Sequence, residues 1–297
     1  MARLTIGIPV YNGEAFIEEC LINITNQSYR EFKLKISDNA SVDQTSEICK
    51  HFAAADKRIE YFKQPQNLGP LKNFKFLLNE CNTEYFMWRA DDDYSDTDYI
   101  ATLINLLDQN PKAQLAVPQV KTIHGLDKQV PWFKFENINI NGRIDRIISR
   151  FYSYHASWYY GIWRTQYILD VSNRVWRNYP HAYAADHLTM LSPIFDDAIV
   201  GTNDASFVQR TYSPVKGDGL RGKIPLSVRI ERLQKLLPLF NAAYEKEVFS
   251  RDFSNLERKT LNRERRKFTF HKLRASRFRI FRLKVKKLFK LLFDQFR

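Results

Sequence analysis

The chain has 297 residues, 44% of them hydrophobic and 14% aromatic, with a formal net charge of +13. This apolar content excludes a disordered chain, and the length suits one large α/β domain or a domain with an extension. No run of about 20 uninterrupted apolar residues occurs, which excludes a conventional spanning helix.

The charge is unevenly placed. Residues 265–297 hold thirteen Lys or Arg against Asp294 alone, a net +12 that leaves residues 1–264 at only +1. Only the tail calls for a polyanionic partner. Met1-Ala2-Arg3 leads straight into a strand-like run, so no secretory leader is read. Cys20, Cys49 and Cys81 lie far apart with no metal-ligand spacing, which points to reduced thiols in the cytosol, Cys20 and Cys49 on core-facing helix faces.

In chain order, Leu4 to Val10 reads as a buried strand closed by a turn at Tyr11-Asn12-Gly13. Residues 14–26 have helical spacing through Phe16, Ile17, Cys20, Leu21 and Ile24. A second strand is expected over 32–37, with Asp38-Asn39-Ala40-Ser41 as its exit loop, then a helix over 43–54 and a short strand over 59–62. Asn67 to Pro70 is a turn, residues 71–81 a helix, and Tyr85 to Trp88 a fourth strand. A helix over 98–107 and a strand over 114–117 follow. Residues 118–142, with Gly125, Pro131 and Gly142, read as an irregular variable loop. Helices are expected over 146–154 and 186–192, strand then turn over 198–204, and a long helix over 224–248 bent near Pro238.

Strand–helix alternation at this pitch predicts a mostly parallel sheet with helices on both faces. The loops 9–14, 38–43 and 91–95 then gather along one sheet edge. The fourth strand ends in three consecutive carboxylates, Asp91, Asp92 and Asp93. Such neighbours repel and raise one another's pKa, so a cation is expected there rather than a merely solvated acidic turn. Mg²⁺ binds through one or two carboxylates and shares its other positions with phosphates. The C-terminal end of a buried strand is where open α/β sheets bind ligands.

Four stretches together, Ile8-Pro9-Val10-Tyr11-Asn12, Ser37 to Asp43, Asn67-Leu68-Gly69 with Asn73, and the Asp91–Asp93 cluster, resemble in order and spacing the family 2 inverting glycosyltransferases of the bacterial surface-polysaccharide type. The likeness is good over residues 3–110 and weak to about 215. It implies a GT-A (Rossmann-like) α/β fold, a donor half over about 1–115 and an acceptor half over about 116–222. A helical extension over 223–297 lies outside it. The implied reaction moves a sugar from a nucleotide diphosphate donor to a hydroxyl, with Mn²⁺ or Mg²⁺ and inversion.

The resemblance assigns Pro9, Tyr11, Asn12, Asp38 and Asn67 to the donor nucleotide. Tyr11 offers a face to the base, and Asp38 an acceptor for a base N–H such as uracil has, which favours UDP. As residues alone, Tyr11 also reads as a strand-end tyrosine and Asp38 as a helix N-cap. Asp91 is assigned to the ribose and Asp92 with Asp93 to the metal. Ala90 stands where the family often has the first acid of its motif, so the division among the three stays open. An inverting transfer needs a general base, and the resemblance places it at Asp186, in Ala184-Ala185-Asp186-His187, with His187 structural. Trp158, Tyr159, Tyr160 and Trp163 offer sugar-stacking faces or core packing. Arg210 and Lys216, near Gly217, Gly219 and Gly222, read as a lid over the diphosphate or a solvated loop.

In the tail, Phe278, Phe281, Val285, Leu288, Leu292 and Phe296 fall on one helical face, while Arg282, Lys286, Lys287 and Lys290 fall largely on the other. A basic amphipathic helix of this kind reads as lying in an anionic membrane interface. Packing on protein and binding of nucleic acid are the alternatives, and the wide apolar stripe argues against nucleic acid. The expected enzyme is therefore cytoplasmic, held at the inner face of the cytoplasmic membrane, with a glycan or lipid-linked glycan as acceptor. A nucleotidyltransferase would need a Gly-rich basic phosphate loop that Pro9-Val10-Tyr11-Asn12 does not supply. A non-catalytic nucleotide-sugar-binding or scaffold protein would tolerate Asp186→Asn.

Overall fold

Seven consecutive fully buried residues, Leu4–Val10, form β1 at the heart of the sheet. A strand covered on both faces reads as a continuous apolar run. The computed structural model describes residues 2–124, 128–129, 131–211, 226–271 and 281–286. In chain order the first half holds β1, α1 (Ile17–Thr25), β2 (Phe32–Asp38), α2 (Thr45–Ala55), β3 (Ile59–Lys63), α3 (Pro70–Asn79), β4 (Tyr85–Trp88), β5 (Tyr94–Ser95) and α4 (Tyr99–Gln109). The second half holds β6 (Leu115–His124), β7 (Lys128–Gln129), α5 (Arg143–Tyr152), a 3-10 helix (Ala156–Tyr160), β8 (Ile162–Arg164), α6 (Thr165–Asn178), α7 (Ala185–Phe195), β9 (Ile199–Arg210), α8 (Leu226–Phe249) and α9 (Asn255–His271).

The strands join in one sheet in the order β3-β2-β1-β4-β8-β6-β9-β5, with β7 beside β6. Among themselves the first four strands by sequence pair in parallel, β2 and β4 flanking β1 and β3 flanking β2. The short β8 enters antiparallel between β4 and β6 and joins the two halves. This is the mixed α/β, GT-A arrangement expected, with helices around the sheet and a helical C-terminal region.

Residues 118–124 are not irregular: they continue β6, which runs parallel to β9 as far as Ile123↔Arg210. Gly125, Pro131 and Gly142, on which the irregular reading stood, all lie beyond the end of β6 at His124, and within it Pro118 has no N–H to give. The ladder breaks between Val117 and Gln119 and resumes at Gln119↔Ser206, a local irregularity of the kind proline marks in sheets. The strand expected over 198–204 likewise continues to Arg210 as β9. The short strands β5, β7 and β8 carry no strong local signal and were not anticipated. Helix α6 was passed over although Ile168, Val171, Val175 and Trp176 have helical spacing, and α9 falls within the helical extension expected over 223–297.

The helical layer is built on aromatic packing. Phe151 of α5, Phe195 of α7, Tyr244 of α8 and Phe268 of α9 meet with centroids 5.5–6.3 Å apart. At its edge Glu247, 2% exposed, accepts hydrogen bonds from Arg174, Ser192 and Arg251. A buried carboxylate is tolerable only with such partners, and this one pins α6, α7 and α8 together.

Candidate active site

The three exit loops converge as the alternation predicts, and their main chains are tied by short polar side chains. The Asn12 N–H donates to Ser41 Oγ at 2.9 Å, the Gly13 N–H to Thr45 Oγ1 at 2.8 Å, and the Val42 N–H back to Asn12 Oδ1 at 3.0 Å. A Cβ on Gly13 would stand 2.5 Å from Asp91 Oδ2, so the first loop lies directly against the acidic cluster. Loops turning this sharply need uncommon backbone. Asn12 (φ 49°), Ala40 (φ 61°) and Ala184 (φ 60°) are three of the four non-glycine residues in the left-handed region among the described residues. Such strain collects where surrounding structure holds a functional constellation.

Pro9 lies past the end of the β1–β4 ladder, which stops at Gly7↔Trp88, so its missing N–H costs no bond on that side. Tyr11 is half-buried at the rim. Asn67 is exposed; its Oδ1 accepts from Asn39 Nδ2 at 3.0 Å and from the Gly69 N–H at 2.8 Å, closing the turn at 67–70 onto the second loop. Beneath them, Ser37 Oγ donates to Asn73 Oδ1 at 2.6 Å, which binds α3 to β2.

Asp38 is fully buried, and its carboxylate accepts from the Ser41 N–H, from Ser46 Oγ and from Tyr61 OH at 2.7–2.8 Å. Burial pushes its pKa up, but the hydrogen bonds from Ser41, Tyr61 and Ser46 outweigh it and hold the carboxyl below the usual range. The donors on Asp38 here come from the protein, so it acts as the floor that fixes the second loop.

Asp91, Asp92 and Asp93 are all buried, at 8, 4 and 3% exposure. They are preceded by Arg89, a fully buried guanidinium between the rings of Tyr99 and Phe207, 5.1 Å from each centroid, which donates to Ser95 Oγ. Asp93 Oδ1 accepts the Arg210 N–H at 2.8 Å, which fastens the end of β9 to the cluster. The Arg210 guanidinium pairs with Glu19 of α1 and lies over the rings of Phe16 and Tyr94. Among the described residues no group of three or more His, Cys, Asp or Glu side chains is placed to hold a metal ion. Asp91, Asp92 and Asp93 supply hard carboxylate oxygens of the kind Mg²⁺ and Mn²⁺ take.

Asp186 stands in the first turn of α7, just after the left-handed Ala184. It lines a cleft of about 390 Å³ with Leu71, Phe74, Tyr159, Tyr160, Trp176 and Tyr183. The floor of this cleft rests on the strand that ends in the carboxylates: Tyr159 stacks on Trp88 at 4.7 Å and 6°, with Phe74 and Trp176 tilted beside it. Tyr179 OH donates to the Tyr183 carbonyl at 2.8 Å and steadies the approach to Asp186. His187 Nδ1 bonds Tyr154 OH and its ring packs edge-on to Phe268, the structural place expected for it.

The aromatic expectation divides. Tyr160 borders the cleft, its ring stacked on Phe207 at 5.8 Å. Trp158 does not: it is fully buried, donates its indole N–H to the Pro118 carbonyl at 3.0 Å, and packs against Phe133, Phe135 and Arg150. Trp163 is also core. Trp176, Tyr183 and Leu71 were missed as cleft residues, since their spacing signals only helix or loop. The stretch with Lys216 and its glycines lies outside the described residues, as does most of 265–297.

The sequence profile described as Glycosyl transferase family 2 matches residues 5–167. Glycosyltransferase GlyA of Streptococcus pneumoniae is 34% identical over 101 residues, 34% of this chain and 14% of that protein. The GalNAc(5)-diNAcBac-PP-undecaprenol beta-1,3-glucosyltransferase of Campylobacter jejuni is 28% identical over 105 residues, 35% of this chain and 34% of that one. This chain thus spans well under half of either relative. S. aureus TarS 1–349 in complex with UDP-GlcNAc superposes with a TM-score of 0.67 at 20% identity, covering 91% of this chain and 73% of TarS. The mannosyltransferase PcManGT of Pyrobaculum calidifontis, with GDP-Man and Mn²⁺, superposes with a TM-score of 0.56 at 14% identity, covering 91% and 70%. With more than half its length matched by the family profile and the GT-A fold around its acidic strand end, the chain belongs to glycosyltransferase family 2.

Proposed function

We propose that the protein is a metal-dependent inverting glycosyltransferase. It moves a sugar from a nucleotide diphosphate sugar, UDP favoured, to a hydroxyl of a glycan or lipid-linked glycan. The observation that carries this reading is the shared floor: Trp88 leads into Asp91–Asp93 and also supports Tyr159 in the cleft that holds Asp186. The strand that leads into the donor-side carboxylates thus also supports the cleft that holds the lone acceptor-side carboxylate.

In this mechanism Tyr11, Asn12 and Asn67, over the loop fixed by Asp38, receive the base, and Asp91 the ribose. Asp92, with Asp91 or Asp93, would hold the divalent cation, Mn²⁺ or Mg²⁺, which supplies charge stabilisation to the diphosphate. Asp186 takes the proton of the acceptor hydroxyl as it attacks, the role of a general base. Tyr159 and Tyr160 exclude water and orient the acceptor ring, and Arg210 stays near the phosphates through its tie to Asp93. The TarS complex with UDP-GlcNAc and the undecaprenol-linked substrate in the Campylobacter enzyme's name support the donor class and the acceptor class.

Residues 1–222 form the catalytic unit in this reading and 223–297 an extension that carries the enzyme to an anionic membrane surface at the cytoplasmic side. Among the described residues no helix is long and apolar enough to cross a membrane. In the helical stretch 281–286, Phe281 is 63% exposed beside Arg282, Lys284 and Lys286, in keeping with interfacial binding.

The test is a thermal-shift screen of nucleotides with and without Mn²⁺ on wild type, Asp92→Ala and Asp186→Asn. A ligand present at a hundred times its dissociation constant stabilises the fold by about 2.7 kcal/mol. One nucleotide should shift wild type and Asp186→Asn with metal, and not Asp92→Ala, while Asp186→Asn loses turnover. No shift by any nucleotide, or full turnover by Asp186→Asn, would sink the reading.

A further inference from the structure

Beside the Asp186 cleft lies a second recess that the mechanism does not use. It has a volume of about 250 Å³ and is lined by His181, Val228, Glu231, Arg232, Lys235 and Leu236. The two recesses share a wall: His181 borders this groove, while Ala182 and Tyr183, the next two residues, border the cleft. Arg232 stands over the Tyr183 ring at 5.8 Å and so links them directly. Helical spacing puts Val228, Glu231, Arg232, Lys235 and Leu236 on one face of α8.

The chemistry of that face is specific. Arg232 and Lys235 are exposed, and among the described residues no hydrogen bond or ion pair joins either to a carboxylate. Glu231 is the one acid in the lining, against two fixed cations and the imidazole of His181. Elsewhere on α8 and α9 basic groups are paired: Arg251, just past α8, with Asp196 and Glu247, and Arg265 with Glu245. Two cations one helical turn apart beside the Asp186 cleft, neither paired with a carboxylate among the described residues, present a fork and a point charge suited to phosphate oxygens.

We infer that the groove between His181 and the Arg232–Lys235 turn of α8 is a subsite for a phosphate group on the acceptor. The acceptor would then be a phosphate-bearing glycan or glycosyl phosphate, with its reacting hydroxyl at Asp186 and its anionic group one wall away. This deepens the transferase reading and rests on it.

The experiment titrates the full chain with glycerophosphoglycerol, a small phosphodiester, and with glycerol as its neutral counterpart, by saturation-transfer NMR at low salt. Wild type should bind the diester and not glycerol, and UDP should not displace it. The Arg232→Ser/Lys235→Ser variant should bind about tenfold more weakly, the loss of two exposed charge contacts. Arg232→Lys alone should keep most of the affinity, and UDP-induced thermal stabilisation should stay unchanged in both. Equal affinity in wild type and the double variant, no binding at all, or displacement by UDP overturns the subsite. Sedimentation with phosphatidylglycerol vesicles separates the two sources of phosphate: pelleting lost in the double variant would assign the groove to lipid headgroups and overturn the acceptor assignment. Diester binding at Arg232 in a chain that no nucleotide stabilises keeps the anion site and removes the transferase reading instead.

Discussion

The main-chain N–H of Arg210 donates to Asp93 Oδ1 at 2.8 Å, so the last residue of β9 is tied to a carboxylate 117 residues earlier. Asp93 therefore has a structural duty besides its place in the acidic cluster. Asp93→Ala should cost about 1–3 kcal/mol in chemical denaturation, because a buried N–H loses its charged partner. Asp93→Asn, which keeps an acceptor oxygen, should cost much less. Asp92→Asn should abolish metal-dependent nucleotide stabilisation. Equal stability losses in Asp93→Ala and Asp93→Asn would refute the structural duty of Asp93.

Neighbouring aromatics should separate cleanly. Trp158→Ala removes a fully buried ring and its bond to Pro118, so a loss of about 3–5 kcal/mol is expected. Tyr160→Ala should leave a folded protein that binds nucleotide normally and has a raised KM for acceptor. A stable, well-folded Trp158→Ala protein with only an acceptor defect would return Trp158 to the cleft.

The acid limb of the stability curve should report on Asp38. Its pKa is lowered in the folded state, with burial opposed and outweighed by the Ser41, Tyr61 and Ser46 bonds. A lowered folded pKa stabilises the protein above the unfolded value of about 3.9 and is lost as pH falls through the folded one. The stability gap between wild type and Asp38→Asn should thus be widest near neutrality and close below about pH 4. A gap independent of pH across that range would show that the carboxylate charge is not what fixes the loop.

Gly13 should prove intolerant for reasons of space alone. An added Cβ would lie 2.5 Å from Asp91 Oδ2 and 2.6 Å from Val10 Cγ2. Gly13→Ala must push Asp91 aside, so nucleotide affinity should fall about tenfold or more, an effect of about 1.4 kcal/mol. Calorimetric titration with the nucleotide chosen by the thermal screen decides it, and unchanged affinity would separate Asp91 from the donor site.

The residues themselves determined the first half of the protein. β1 and β4 have the bounds expected from their apolar runs, because strands buried on both faces by parallel pairing carry their signal in every residue. The three loops at one edge followed from the alternation, and Asp186 at a helix start from the resemblance. What the chain could not say locally was settled by partners distant in sequence. β5 is two residues long and β8 three, and each exists because a neighbouring strand supplies its ladder. β6 passes Pro118 because β9 resumes the pairing at Ser206. Trp158 and Tyr160 look alike in sequence, and only the turn of the 3-10 helix sends one into the core and the other to the cleft. The donors that hold Asp93 and Asp38, from Arg210, Ser46 and Tyr61, likewise come from other elements. A sequence shows which groups are chemically able to bind, while packing decides which of them are already taken.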